Sequence, residues 1–120
     1  MARILVADDQ ESMRLIISDM LKEKGHSVVT AEDGLAAFDQ FKNGSFDLVV
    51  ADVNMPRLNG LEFLKQVKAE KPQAKVVFVT GMLEDAVKVG SAKFGLDGLI
   101  LKPFDKIGAM EIIEKVLNRQ

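Results

Sequence analysis

Five short apolar runs rich in branched residues, separated by amphipathic stretches, limit what this chain can fold into more than any other feature. The runs cover residues 4–7, 27–31, 48–51, 76–79 and 99–101. They look like strands covered on both faces, as in the interior of a parallel sheet. Between the first two, Met13, Ile16, Ile17, Met20 and Leu21 recur at helical spacing, and Gly25 follows as a stop signal. Leu35, Phe38 and Phe41 mark a second helix, and Leu61, Phe63, Leu64 and Val67 a third. Ile107, Met110, Ile113, Val116 and Leu117 mark a fifth. A fourth is expected over 84–94, interrupted by Gly90 and Ser91, and glycine costs about 1 kcal/mol in a helix interior. Strand and helix alternating in this way predict an α/β fold: a parallel sheet with right-handed crossovers and helices on both faces.

At 120 residues and 48% hydrophobic composition, the chain suits one compact domain over 1–120 with a single core. Its 16 basic and 18 acidic residues leave a net charge of -2, with no basic stripe of the kind that attracts nucleic acid. Cysteine is absent, which excludes disulfides, thiolate metal sites and thiol nucleophiles. The first apolar run meets Asp8 and Asp9 too soon to be a signal peptide or a membrane span, so the expectation is a soluble, cytoplasmic protein. No Walker-type or dinucleotide-type glycine loop is present. The sequence stops just after the last predicted helix, so no attached output domain is expected.

The polar residues fall at revealing places. Asp8 and Asp9 close the first run, Asp52 the third, Thr80 the fourth and Lys102 the fifth. In a parallel sheet all carboxyl ends share one edge. If the strand order is 2-1-3-4-5, the first and third strands are neighbours at the switch point where open α/β sheets hold their ligands. Three carboxylates would then face one another, repelling and raising one another's pKa values unless a positive charge sits between them. A divalent cation is the simplest remedy. Oxygen-only donors point to Mg2+ or a similar hard ion rather than zinc. Mg2+ in turn suggests phosphoryl chemistry, in which an aspartate attacks to form an acyl phosphate. Lys102 and Thr80 would supply a charge and a hydroxyl to hold the phosphoryl oxygens.

Taken singly, each residue has a plainer reading. Asp8-Asp9 could cap the first helix, Asp52 could be a turn residue in Asp-x-Asn-Met-Pro, Thr80 a strand-end hydroxyl and Lys102 a solvated cation. Their joint occurrence at four strand ends argues against that. His26, the only histidine, follows Gly25 in a predicted turn and is assigned no role.

These residues carry a family resemblance. Asp8-Asp9, Asp52-Val53-Asn54-Met55-Pro56 with Gly60, Thr80-Gly81 and Lys102-Pro103-Phe104 make the sequence similar to CheY-like response-regulator receivers over essentially its whole length. The resemblance implies a flavodoxin-like (βα)5 doubly wound sheet of order 2-1-3-4-5. It implies that Asp52 accepts a phosphoryl group from a histidine kinase or phosphotransfer protein. It further implies Mg2+ held by Asp8 or Asp9, Asp52 and the Asn54 backbone carbonyl, and phosphoryl contacts from Thr80 and Lys102. The Lys102-Pro103 bond is expected to be cis, and output is expected as altered protein binding on the face of the fourth helix, fifth strand and fifth helix. Asn54 and Met82 stand where similar receivers tune phosphoryl lifetime.

Two positions depart from the pattern. Leu99 stands where relatives usually carry the Tyr or Phe of a switch coupled to the threonine, and leucine offers neither hydroxyl nor ring. Gly81 replaces the usual alanine or serine and is expected to loosen the loop after Thr80. Two competing functions remain. An aspartyl-phosphate phosphatase would carry a second acid where Asn54 stands, and a pseudo-receiver would keep the fold as an interaction module without being phosphorylated. A receiver is not a turnover enzyme.

Overall fold

The computed structural model describes residues 1–55, 58–81 and 95–119, with the backbone alone at 54–55 and 58–59. Met82 and the predicted fourth helix lie outside the described residues. In chain order the described elements are β1 (Arg3–Ala7), α1 (Glu11–Glu23), β2 (Ser27–Ala31), α2 (Gly34–Asn43), β3 (Leu48–Asp52), β4 (Asn54–Met55), β5 (Leu58–Asn59), α3 (Gly60–Glu70), β6 (Val76–Thr80), β7 (Gly98–Leu101) and α4 (Lys106–Asn118).

The main sheet runs β2-β1-β3-β6-β7, all parallel. Counting only its five strands, that is the expected order 2-1-3-4-5. β4 and β5 form a separate antiparallel pair, Asn54 opposite Asn59, in the stretch whose turn chemistry the sequence displays.

Residues of β3 and β6 are buried throughout, which explains their unbroken apolar composition. Successive side chains still alternate between two cores. Leu5, Ala7, Val49, Ala51, Val76 and Phe78 face α2 and α3, where Ala37, Phe41, Phe63, Leu64 and Val67 pack. Ile4, Val6, Leu48, Val50, Val77 and Val79 face α1 and α4, meeting Ile17, Met20, Leu21, Ala109, Met110, Ile113 and Val116. Each fully buried Phe or Leu contributes about 1.5–3 kcal/mol.

Local chemistry sets the helix ends. Asp33 caps α2 by accepting from Ala36 N at 2.8 Å, and Asp105 caps α4 by accepting from Gly108 N at 2.5 Å. Gly25 ends the turn after α1 at φ +86°, a conformation that L side chains rarely adopt.

Three predicted helix-marking residues lie outside the core: Ile16, Leu35 and Ile107 are 53%, 55% and 74% exposed. On α1 the buried stripe is Ile17, Met20 and Leu21, and a one-residue step turns the side chain about 100° away from it. The sequence lists both neighbours as apolar, but only one can face the sheet. Among the described residues, no helix is long and apolar enough to cross a membrane.

Candidate functional site

Strand register brings the polar residues together. Ala7 pairs with Ala51, so the residues that follow, Asp8 and Asp52, emerge side by side from the two central strands. Thr80 ends β6 opposite Leu101, and Lys102 N donates to Thr80 O at 2.7 Å, which carries the lysine backbone to the same edge. The Lys102-Pro103 bond is cis, as the resemblance implies.

The carboxylates converge as the sequence leads one to expect. One ligand atom from each of Asp8, Asp9 and Asp52 lies within 4.8 Å of the others. Asp8 and Thr80 are each 1% exposed and Asp52 7%, while Asp9 is exposed. Lys102 reaches in from the end of β7, its Nζ 2.8 Å from Asp52 Oδ2 and 3.9 Å from Asp8 Oδ2.

Asp8 does not cap α1. The N-cap residue is Gln10, and no side chain supplies the cap hydrogen bond. Instead Asp8 is fixed by the loop that leaves β1: its N–H donates to Ala31 O at 3.1 Å, and its Oδ1 accepts from Gln10 N at 2.9 Å. Its other oxygen, Oδ2, is buried and makes no hydrogen bond with any described residue.

Burial pushes the Asp8 carboxyl up to about 6. The Gln10 N–H and Lys102 oppose the rise, and the charges of Asp52 and Asp9 add to it. A buried carboxylate oxygen with no donor, facing a second carboxylate, is costly unless a cation meets it. Three carboxylates, with no histidine or cysteine among the described residues beside them, make a set suited to a hard divalent ion.

The remaining predicted residues are less directly engaged. Asn54 is described by its backbone, in β4 directly beyond the end of β3. Leu99 lies in β7, partly buried against the core on the α2 and α3 side. Among the described residues, a Cβ on Gly81 would meet the Lys102 stem alone, at 3.7 Å and 4.0 Å. His26 is remote from the site. It accepts from Ala2 N at 3.0 Å and meets Glu114 at 3.1 Å.

One residue at the site escapes sequence reasoning. Arg14 Nη1 donates to the Asp8 backbone carbonyl at 2.7 Å. The only signal in the sequence is an arginine in the first turns of the helix that follows the acid pair.

Comparison with known proteins agrees with this geometry. Residues 4–117 match the family model described as response regulator receiver domain. Chemotaxis protein CheY of Bacillus subtilis is 36% identical over 117 residues, covering 97% of this chain and 98% of that protein. The structure of CheY4 of Vibrio cholerae superposes with a TM-score of 0.88 at 30% identity, covering 97% of this chain and 98% of the other. TrrA of Thermotoga maritima, solved in complex with Mg(2+)-BeF, gives a TM-score of 0.88 at 32% identity, covering 97% and 99%. A fold shared over nearly the full length, together with a family match over all the strand-end acids, the threonine and the lysine, has one meaning: the chain belongs to the response regulator receiver family.

Proposed function

We propose that this protein accepts a phosphoryl group on Asp52 from the phosphohistidine of a histidine kinase or phosphotransfer protein, with Mg2+ at the acidic cluster, and signals by altered protein binding. The observation that carries the reading is the contact of Lys102 with Asp52 beside the buried, donorless oxygen of Asp8. On this reading residues 1–120 are one receiver domain.

In the proposed reaction an Asp52 carboxylate oxygen attacks phosphorus, the P–N bond to the donor imidazole breaks, and the imidazole leaves as an acyl phosphate forms. Asp8, Asp9, Asp52 and the Asn54 carbonyl would hold the cation, which when bound supplies charge neutralisation for the phosphoryl oxygens. Lys102 exchanges its contact with the unmodified carboxylate for one with a phosphoryl oxygen, and Thr80 donates its hydroxyl to another. The phosphorylated side chain carries roughly two negative charges in place of the carboxylate's one, and draws both residues inward.

The readout is assigned to the face of the 84–94 segment, β7 and α4, where Leu101 and Ile107 already expose apolar surface. Leu99 takes the aromatic switch position there with packing alone. Asn54 and Met82 tune the lifetime of the adduct, Met82 by restricting water. Its replacement by a small or acidic residue should speed dephosphorylation, and unchanged decay would remove that role.

Intact mass after treatment with Mg2+ and a small phosphodonor tests the reading. A hydroxylamine-labile adduct is expected in the wild type and not in Asp52→Asn. No adduct in either would favour an interaction module, and sustained turnover of phosphate monoesters would favour a phosphatase.

A further inference from the structure

Resting on the cation reading above, we infer that Arg14 is a positioning residue for the metal site: its guanidinium, bonded to the Asp8 backbone carbonyl, holds the buried Asp8 carboxylate in the orientation that ligates a divalent cation. Asp8 is held from several directions. Its N–H is bound by Ala31 O of β2, its carbonyl by Arg14 Nη1 of α1 at 2.7 Å, and its Oδ1 by the N–H of Gln10. These bonds leave only Oδ2 uncommitted, and that atom faces Asp52 and Lys102.

Ala31 fixes the strand end and the N-cap residue Gln10 fixes one carboxylate oxygen, but neither of them holds the Asp8 carbonyl. Arg14 does. Arg14 N also donates to Gln10 O at 3.0 Å, so the residue that clamps Asp8 belongs to the same helical turn whose Gln10 N–H orients the carboxylate. Arg14 is half-buried and its guanidinium is planar and rigid, so its bond to the carbonyl opposes rotation of the Asp8 peptide. Partners of this kind, outside the ligand set but bonded to it, commonly change metal affinity 10–100-fold when lost.

Charge and position make opposite predictions for this residue, which gives the test its force. An arginine beside three carboxylates repels an incoming cation, so its removal should tighten binding if charge were its only influence. If position is its role, removal should weaken binding. The chain has no tryptophan or tyrosine, so Mg2+ is titrated by calorimetry and by amide NMR.

Wild type, Arg14→Ala, Arg14→Lys and Asp52→Asn are compared by Mg2+ dissociation constant, together with hydrogen exchange of the Gln10 amide in metal-free protein. The inference expects roughly tenfold weaker Mg2+ binding in Arg14→Ala, recovery to near the wild-type constant in Arg14→Lys, which retains a donor for the carbonyl, and faster Gln10 exchange in the alanine variant alone. Equal or tighter binding by Arg14→Ala overturns it. So does a lysine variant as weak as the alanine one. Should Arg14→Ala fail to fold, Arg14→Met, which keeps an apolar stem and lacks both charge and donor, takes its place with the same expected and overturning outcomes. A wild type that binds no Mg2+, or binds it as well after Asp52→Asn, overturns the cation reading and this inference with it. Wild-type binding abolished by Asp52→Asn but untouched by Arg14→Ala overturns the inference alone.

Discussion

The Lys102 ammonium lies 2.8 Å from Asp52 Oδ2 and only 3.9 Å from Asp8 Oδ2, so one side chain from the edge strand neutralises the acidic ends of both central strands. The lysine is itself partly buried, its side chain 22% exposed, which keeps water from screening the pair fully. The same ammonium is therefore a stability element in the metal-free protein and a phosphate-binding group in the proposed reaction.

Lys102→Ala should destabilise the metal-free protein by about 1–3 kcal/mol, because it removes the ammonium that faces two buried carboxylates. Saturating Mg2+ should recover most of the loss. Urea unfolding with and without the ion measures both, and a loss indifferent to Mg2+ would mean that the cation does not take over the lysine's role.

Asp8 sets a pH dependence of defined sign. Its carboxyl is raised by burial to about 6, above the ordinary aspartate value, so the folded state binds more protons than the unfolded one between about pH 4 and 6. The contribution is fully present below about pH 4 and is lost as pH rises through about 6, at most about 3 kcal/mol for this group. Asp8→Asn should flatten that segment of the metal-free stability profile and be the more stable protein near neutrality. Parallel profiles for the two proteins would contradict the burial argument.

Gly98→Ala should destabilise the fold by about 1–3 kcal/mol through overpacking. A Cβ there would stand 3.1 Å from Val116 Cγ2 and 3.2 Å from both Ile112 Cγ2 and Val77 Cγ2, between β7 and α4. Thermal unfolding measures the cost, and Mg2+ affinity should stay at the wild-type value, because the contacts lie away from the acidic cluster.

Gly81→Ala should do the opposite and stabilise by about 0.4–1 kcal/mol, by narrowing the unfolded ensemble at a position where a methyl group meets no described residue closer than 3.7 Å. The new methyl would rest on the Lys102 stem at ordinary van der Waals distance. A fall in stability on chemical denaturation would show that the backbone at Gly81 needs glycine after all.

Much of this protein is legible in its sequence, because the relevant signals are local. Runs such as 48–51 and 76–79 announce doubly covered strands, and Gly25, Asp33 and Asp105 punctuate the helices by chemistry within a few residues of themselves. Parallel pairing then obliges Asp8, Asp52, Thr80 and Lys102 to meet, since every strand end carries its next residue to one edge. What sequence could not decide depends on rotation and reach. Ile16 and Ile17 are equivalent as letters, yet only packing against the sheet determines which is covered. Likewise the two oxygens of Asp8 are chemically identical until Gln10 claims one, and Arg14 becomes a partner of the site only when its guanidinium reaches the Asp8 carbonyl. Periodicity fixes which elements form and where they end, whereas the hydrogen-bond partner of an individual atom is fixed only when distant segments pack.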